Sequence, residues 1–181
     1  MFEIIVVWLA LSLVTGGSLR LLQREKLAGE TVLFVVLPLQ VLWPMISARL
    51  GLECALSIIV WLLMMAVLAF VLFYNAPRRW MLAFAGLGIA MNILVIGFNS
   101  GMPVSLKAAG ELGGSREAAR LAMEASCLHR PIEDGTRLTL LADVIAVPGP
   151  AWQRGVVSVG DLLLAFGLGG WVFVASRRPV A

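Results

Sequence analysis

The chain has 181 residues, of which 60% are hydrophobic and 14% charged, with a formal net charge of +3 and a mean hydropathy of +0.94. A soluble domain is about 45–50% apolar and about 25% charged; here the apolar excess is gathered in blocks about 20 residues long, the length that crosses a hydrocarbon core of ~30 Å. This excludes an ordinary soluble domain and implies an all-α fold, a polytopic membrane helix bundle with about five transmembrane helices.

The first block runs from residue 2 to 17. Met1-Phe2-Glu3 leads straight into Ile4-Ile5-Val6-Val7-Trp8, without a basic lead-in or a clear cleavage site, so a retained helix is expected rather than a cleaved signal. The second block, 30–48, contains Pro38 and Pro44, which a membrane helix tolerates as kinks. The third spans 53–74, the fourth 80–98 and the fifth 156–175.

Charge placement orients these blocks. Arg20, Arg24 and Lys26 follow the first, Arg78 and Arg79 the third, Arg177 and Arg178 the fifth, whereas Arg49 alone follows the second. Basic residues in short loops mark the cytoplasmic side. The expected topology has the N-terminus outside and the C-terminus cytoplasmic, and the lipid bilayer is the first partner. Residues 1–181 form a single membrane domain, with 99–155 an extracytoplasmic loop.

That loop is charge-balanced. Ser115–Ala125 reads as a helix with Ser115 as N-cap, ended by Pro131, its small apolar face of Ala118, Leu121, Ala122 and Ala125 lying on the membrane domain. Leu138–Val147 is apolar but too short to span, so it reads as an extended or re-entrant piece. Trp152 is expected at interface depth. Cys54 and Cys127 both fall outside, leaving a disulfide open. One histidine, His129, and no CxxC spacing make a conventional metal, haem or iron–sulfur site unexpected, and no cofactor is implied. No basic patch interleaved with aromatics points to nucleic acid.

Ionisable groups in apolar surroundings need a reason. Asp161 lies near the outer start of the fifth block. It is either a helix-start carboxylate that caps amides or a functional group at the mouth of the bundle. Asp143 sits between Leu140-Leu141-Ala142 and Val144-Ile145, where Arg137 or Arg154 would serve as an ion-pair partner. If Asp143 and Asp161 meet at one low-dielectric site, one keeps its proton. The pair then offers a general acid and a general base, as in an aspartyl protease. Asn92 and Asn99, seven residues apart, share a helix face. Asn92 must hydrogen-bond across helices or within the site, and Asn99-Ser100-Gly101 is a turn signal with a helix stop.

The stretches Asn99-Ser100-Gly101-Met102-Pro103-Val104-Ser105, Thr136-Arg137-Leu138 leading to Leu141-Ala142-Asp143-Val144-Ile145, and Val157-Ser158-Val159-Gly160-Asp161 resemble an uncharacterised family of small bacterial membrane proteins, a domain of unknown function. The resemblance implies a bacterial cytoplasmic (inner) membrane protein and brings no activity. Asp143-Val144-Ile145 and Val159-Gly160-Asp161 are also similar in pattern to the two catalytic aspartates of lipoprotein signal peptidase (signal peptidase II). That family has four helices and lacks the long stretch preceding Asp143. The primary expectation is a binding or assembly component acting at the extracytoplasmic face on a membrane-protein partner, with Asp143, Asp161, Asn92 and Asn99 organising the loop over the bundle and Arg137 beside them. The alternative is an intramembrane aspartyl peptidase or hydrolase using Asp143 and Asp161 on a lipidated substrate, with Asn99 as an orienting donor. A small-solute transporter subunit is a third reading, for which five helices without a repeat are a poor basis.

Overall fold

The computed structural model describes residues 2–113, 115–124, 126–150 and 154–177. Ala125, Trp152 and Arg178 lie outside the described residues. In chain order the elements are α1 (Phe2–Val14), α2 (Leu19–Arg24), α3 (Glu30–Arg49), α4 (Cys54–Asn75), α5 (Met81–Asn99), β1 (Met102–Val104), α6 (Leu106–Glu111), α7 (Arg116–Glu124), β2 (His129–Pro131), a 3-10 turn (Thr139–Leu141), β3 (Ile145–Val147), β4 (Gly155–Val157) and α8 (Val159–Ala175).

Each of the five apolar blocks folds as a helix. Three of them, α3, α4 and α5, are long and apolar enough to cross a membrane. The 17 residues of α8 rise only about 26 Å and the 13 of α1 about 20 Å. The fifth block is shorter than expected because its first two residues, Val156 and Val157, are drawn into β4. Pro38 and Pro44 both lie inside a continuous α3.

The centre of the bundle is the packing of α5 on α8 and on α4. Leu68, Leu72, Leu82, Ala85, Ile89 and Val95 form its buried core. Small residues bring α5 and α8 close. A Cβ on Gly88 would overlap the Gly160 carbonyl and lie 2.6 Å from Leu164 N, and one on Gly167 would lie 2.8 Å from the Met81 carbonyl. Gly86 faces the Phe73 ring of α4, a Cβ there standing 3.0 Å from it. On the other side α1 lies along α8, with Trp8 edge-on to Phe166 and Phe173 at 6.0 and 5.6 Å between centroids.

One end of the bundle is knitted by side chains at the helix ends and in the short loops beside them. Ser12 and Ser176 bond through their hydroxyls, and Arg177 donates to Ser12 Oγ at 2.9 Å. Asn75 clamps the Ala28 backbone, accepting from its N–H and donating to its carbonyl, both at 2.9 Å. Arg79 pairs with Glu25 at 2.8 Å.

The connection from α5 to α8 packs at the opposite end. Strands β1 and β2 pair in parallel, Met102 opposite His129, across a crossover made of α6 and α7. Strands β3 and β4 form an antiparallel pair, Ile145 opposite Val157, and a bridge from Val104 to Asp143 links the two small sheets. Leu138–Val147 combines the 3-10 turn Thr139–Leu141 with the strand β3, Ile145–Val147. Helix α7 starts as expected, Ser115 Oγ accepting from Ala118 N at 3.4 Å. Two expectations for it fail. It ends at Glu124, and Pro131 instead closes β2. Its Ala118, Leu121 and Ala122 face outward, Leu121 being 58% exposed, while Ala119 and Met123 turn inward. The neighbours of α7 are α6 and β2 rather than the long helices, so the side that packs is set by them and not by the apolar stripe.

Candidate functional site

The end of α5, the start of α8 and the intervening strands bring the predicted residues together. Asn92 is buried in α5 one turn beyond Gly88. Its Nδ2 donates to Asp161 Oδ1 at 2.8 Å, and its Oδ1 accepts from Ser158 Oγ at 3.0 Å. Ser158 and Asp161 form a complete capping box at the head of α8. Asp161 N donates to Ser158 Oγ at 3.0 Å and Ser158 N to Asp161 Oδ2 at 3.1 Å. Gly160 makes this possible, because a Cβ there would overlap Asn92 Oδ1. Asp161 is thus a helix-start carboxylate, and also the acceptor that fixes α5 to α8.

Asn99 makes a second junction. Its Oδ1 accepts from Arg137 N at 2.9 Å and its Nδ2 donates to the Arg137 carbonyl at 2.9 Å. The remaining donor goes to the Val95 carbonyl at 2.8 Å. An amide reading another residue's backbone in both directions imitates one rung of a sheet. Ser100 follows in the left-handed region at φ 52°, which turns the chain out of α5 into β1. Arg130 donates to the Asn99 backbone carbonyl, satisfying a helix-end acceptor.

Asp143 lies between the small sheets, 7% exposed. Its backbone is fully used, its N–H donating to the Pro103 carbonyl at 2.9 Å and its carbonyl accepting from Ser105 N at 2.8 Å. Its side chain is not. Among the described residues, Asp143 Oδ1 is a buried polar atom without a hydrogen-bond partner. The expected ion pair with Arg137 or Arg154 is not made. Arg137 contributes its main chain to Asn99, and Arg154 donates to the Leu112 carbonyl at 3.2 Å. The order of the strands explains this, since the Val104–Asp143 bridge turns the carboxyl inward. Burial, and then the charge of Asp161, raise the Asp143 pKa to about 7. The two carboxyls therefore sense each other, although Asp161 has both oxygens engaged.

Cys54, before the first turn of α4 is complete, and Cys127, just ahead of β2, form a disulfide. It borders an open cavity of about 490 Å³ whose polar wall comes from Asn99, Ser126, His129, Arg130, Glu133 and Thr136. Ser126 Oγ lies 3.3 Å from His129 Nδ1. His129 has its pKa lowered by partial desolvation, offset by the Asp161 charge. Of this wall the sequence singled out Asn99 as a site residue and Thr136 within the Thr136-Arg137-Leu138 stretch, whereas Arg130 and Glu133 carry no motif and come to the wall through the crossover between β1 and β2. Ser158 was legible in principle, because Ser-x-x-Asp ahead of an apolar run is a capping signature. Among the described residues, no group of three or more His, Cys, Asp or Glu side chains is placed to hold a metal.

Among the described residues the fold is mostly helical, with three helices long and apolar enough to cross a membrane. The chain belongs to the Family of unknown function (DUF5317), whose model matches residues 25–173. That stretch takes in every residue of the two junctions, the cavity and Asp143. No curated protein and no solved structure matches the chain, so the likeness to lipoprotein signal peptidase gains no support.

Proposed function

We propose that this is a bacterial inner-membrane protein whose α1, α3, α4, α5 and α8 cross the bilayer, and that it acts as a non-enzymatic binding or assembly component through a cap, residues 99–155, on the extracytoplasmic face. The observation that carries this reading is the anchoring of the cap around the cavity. A disulfide ties it to α4, the Asn99–Arg137 exchange ties it to α5, and the Ser158–Asp161 box with Asn92 fixes the head of α8 beneath it. Such rigidity suits a surface that must hold its shape for a partner. A disulfide belongs to an oxidising compartment, which favours the cap side as the outer one. The basic Lys26, Arg78, Arg79 and Arg177 gather at the other end, as the positive-inside rule requires.

In this mechanism the polar cavity receives a segment of a membrane-protein partner. The test is photo-cross-linking in intact bacteria with a photoreactive side chain at Thr136 or Ser126. A discrete adduct at these positions, absent with the probe at Arg24, supports recognition by the cavity. Identical labelling at all three positions contradicts it.

The Asp143–Asp161 pair keeps a second reading in view, an aspartyl hydrolase. One observation favours it, a buried Asp143 carboxyl with an oxygen that has no hydrogen-bond partner among the described residues, its pKa raised to about 7 by burial and by Asp161. Asn99 does not serve as the orienting donor there, since both amide hydrogens are used by Val95 and Arg137. Cleavage of a lipidated membrane substrate by the wild type, lost in both Asp143→Asn and Asp161→Asn at normal expression, would establish that reading over recognition.

A further inference from the structure

The basic end of the bundle carries a feature that neither recognition at the cap nor topology requires. A cavity of about 500 Å³ opens there between the α2–α3 turn, the last turn of α4 and the α4–α5 turn. Its lining charges are Lys26, Arg78 and Arg79 with one carboxylate, Glu30, and a second, Glu25, pairs with Arg79 from behind at 2.8 Å. Charges that only orient a helix in the membrane need no shaped space between them. Here the space is held open by specific bonds. Asn75, 5% exposed, bonds both polar groups of the Ala28 backbone and also donates to the Val71 carbonyl at 2.8 Å. Arg79 is fixed from behind by Glu25 and by the Lys26 carbonyl, each at 2.8 Å.

Depth gives the second part of the case. The cavity sits at the start of α3 and the end of α4, two helices long enough to cross a membrane. Tyr74 in its wall is 66% exposed with Phe70 tilted against it, and Trp80, just past Arg79, is 55% exposed. Exposed aromatic rings beside basic residues at a helix end mark headgroup depth. With α3 and α4 across the bilayer as proposed above, a cationic recess at that depth would face the phosphate layer.

We infer that the cavity formed by Lys26, Arg78, Arg79, Tyr74 and the Asn75-clamped Ala28 turn binds a phosphate group, as carried by the headgroup of an anionic phospholipid or by a soluble phosphate compound. Lys26 and Arg78 supply attraction, Arg79 is the positioned donor, and Glu30 sets a limit on affinity by repulsion. The lipid arm rests on α3 and α4 crossing the bilayer as proposed above.

The test uses the full chain reconstituted with an equal mixture of phosphatidylglycerol and phosphatidylcholine. Flotation with vesicles reports membrane residence, and native mass spectrometry of the released protein reports which lipid is retained. Preferential retention of phosphatidylglycerol is expected. It should fall about fivefold in each of Lys26→Gln and Arg78→Gln, from roughly 1 kcal/mol per basic side chain at an anionic surface. Glu30→Gln should raise it, and this gain cannot arise from misfolding. Lys107→Gln, at the cap end, should leave it unchanged. Millimolar inorganic phosphate that displaces phosphatidylglycerol assigns the site to a soluble phosphate, and phosphate without effect assigns it to the lipid. Vesicle-bound protein with equal retention of both lipids and no bound inorganic phosphate in native mass spectrometry, or unaltered retention in Lys26→Gln, Arg78→Gln and Glu30→Gln, would overturn the site while leaving the membrane reading intact. Protein that does not float would remove the membrane reading instead.

Discussion

Asn99 and Arg137 exchange hydrogen bonds in both directions, side-chain amide to backbone, each at 2.9 Å. The pair joins the last residue of α5 to the chain that leads into Asp143, so the position of the candidate site depends on an amide and not on a charge. Asn99→Ala leaves the Arg137 N–H and carbonyl without their partner. A loss of about 2–3 kcal/mol is expected from stranding partly buried polar groups. Arg137→Ala keeps the exchange, because only main-chain atoms take part, and should change stability by less than about 0.5 kcal/mol. Thermal unfolding in detergent micelles compares the two. Equal destabilisation by both variants would mean that the Arg137 side chain carries the contact.

Asp143 predicts an unusual pH dependence. Its pKa is raised to about 7 by burial and by Asp161, against an ordinary carboxylate value near 4 in the unfolded chain. The folded state therefore binds the proton more tightly than the unfolded state. The stabilisation from that proton is fully present below about pH 4 and is lost as the pH rises through about 7. Between pH 5 and 8 the wild type should lose about 2–3 kcal/mol on this account. Asp143→Asn, which is neutral throughout, should flatten the profile and exceed the wild type in melting temperature at pH 8. A wild-type profile that rises from pH 5 to 8 would contradict the buried, unpaired carboxyl.

The close approach of α5 and α8 makes Gly160 sensitive. A Cβ there would overlap both Asn92 and the Gly88 backbone, neither of which is the free end of a flexible side chain. Gly160→Ala should cost about 1–3 kcal/mol by overpacking. It should also break the Asn92–Asp161 bond, so that adding Asp161→Asn costs less in that background than alone. Gly155→Ala, with open space around it, is the control and should be near neutral.

The disulfide joins residues 73 apart. Its reduction should destabilise the protein by about 4 kcal/mol on the chain-entropy account. The effect should fall on the cap first, with amide exchange rising in α7 and β2 before α5. Uniform loosening of the whole bundle would show that the cap has no separate stability.

Much of the bundle was legible in the sequence because an apolar run about 20 residues long, without turn residues to break it, favours one continuous helix. The blocks at 30–48, 53–74 and 80–98 correspond to α3, α4 and α5 within two residues at each end. The short elements were not legible. Three-residue strands such as β1 and β2 have no period to read, and their pairing depends on a crossover that brings residues 27 apart into register. Asp143, Asp161, Asn92 and Asn99 stood out as polar groups in apolar surroundings, and they do gather at one end of the bundle. Which group each would bond was not readable. Asn92 chose Asp161 because Gly88 and Gly160 let two backbones approach, while Asp143 lost its expected arginine because a single β-bridge turns it inward. Arg137 was singled out for a charge that takes no part in the junction, which uses its main chain.

In the proposed topology the disulfide-tied cap stands outside the membrane and the basic loops inside. Alkylation of intact bacteria with a membrane-impermeant maleimide tests it. Cys54 and Cys127 should be unreactive until a reductant is added, and should then be labelled without lysis, while a cysteine placed at Arg24 is labelled only after lysis. Labelling of Cys54 and Cys127 only in lysed cells, with or without reductant, would place the cap in the cytoplasm and contradict the account.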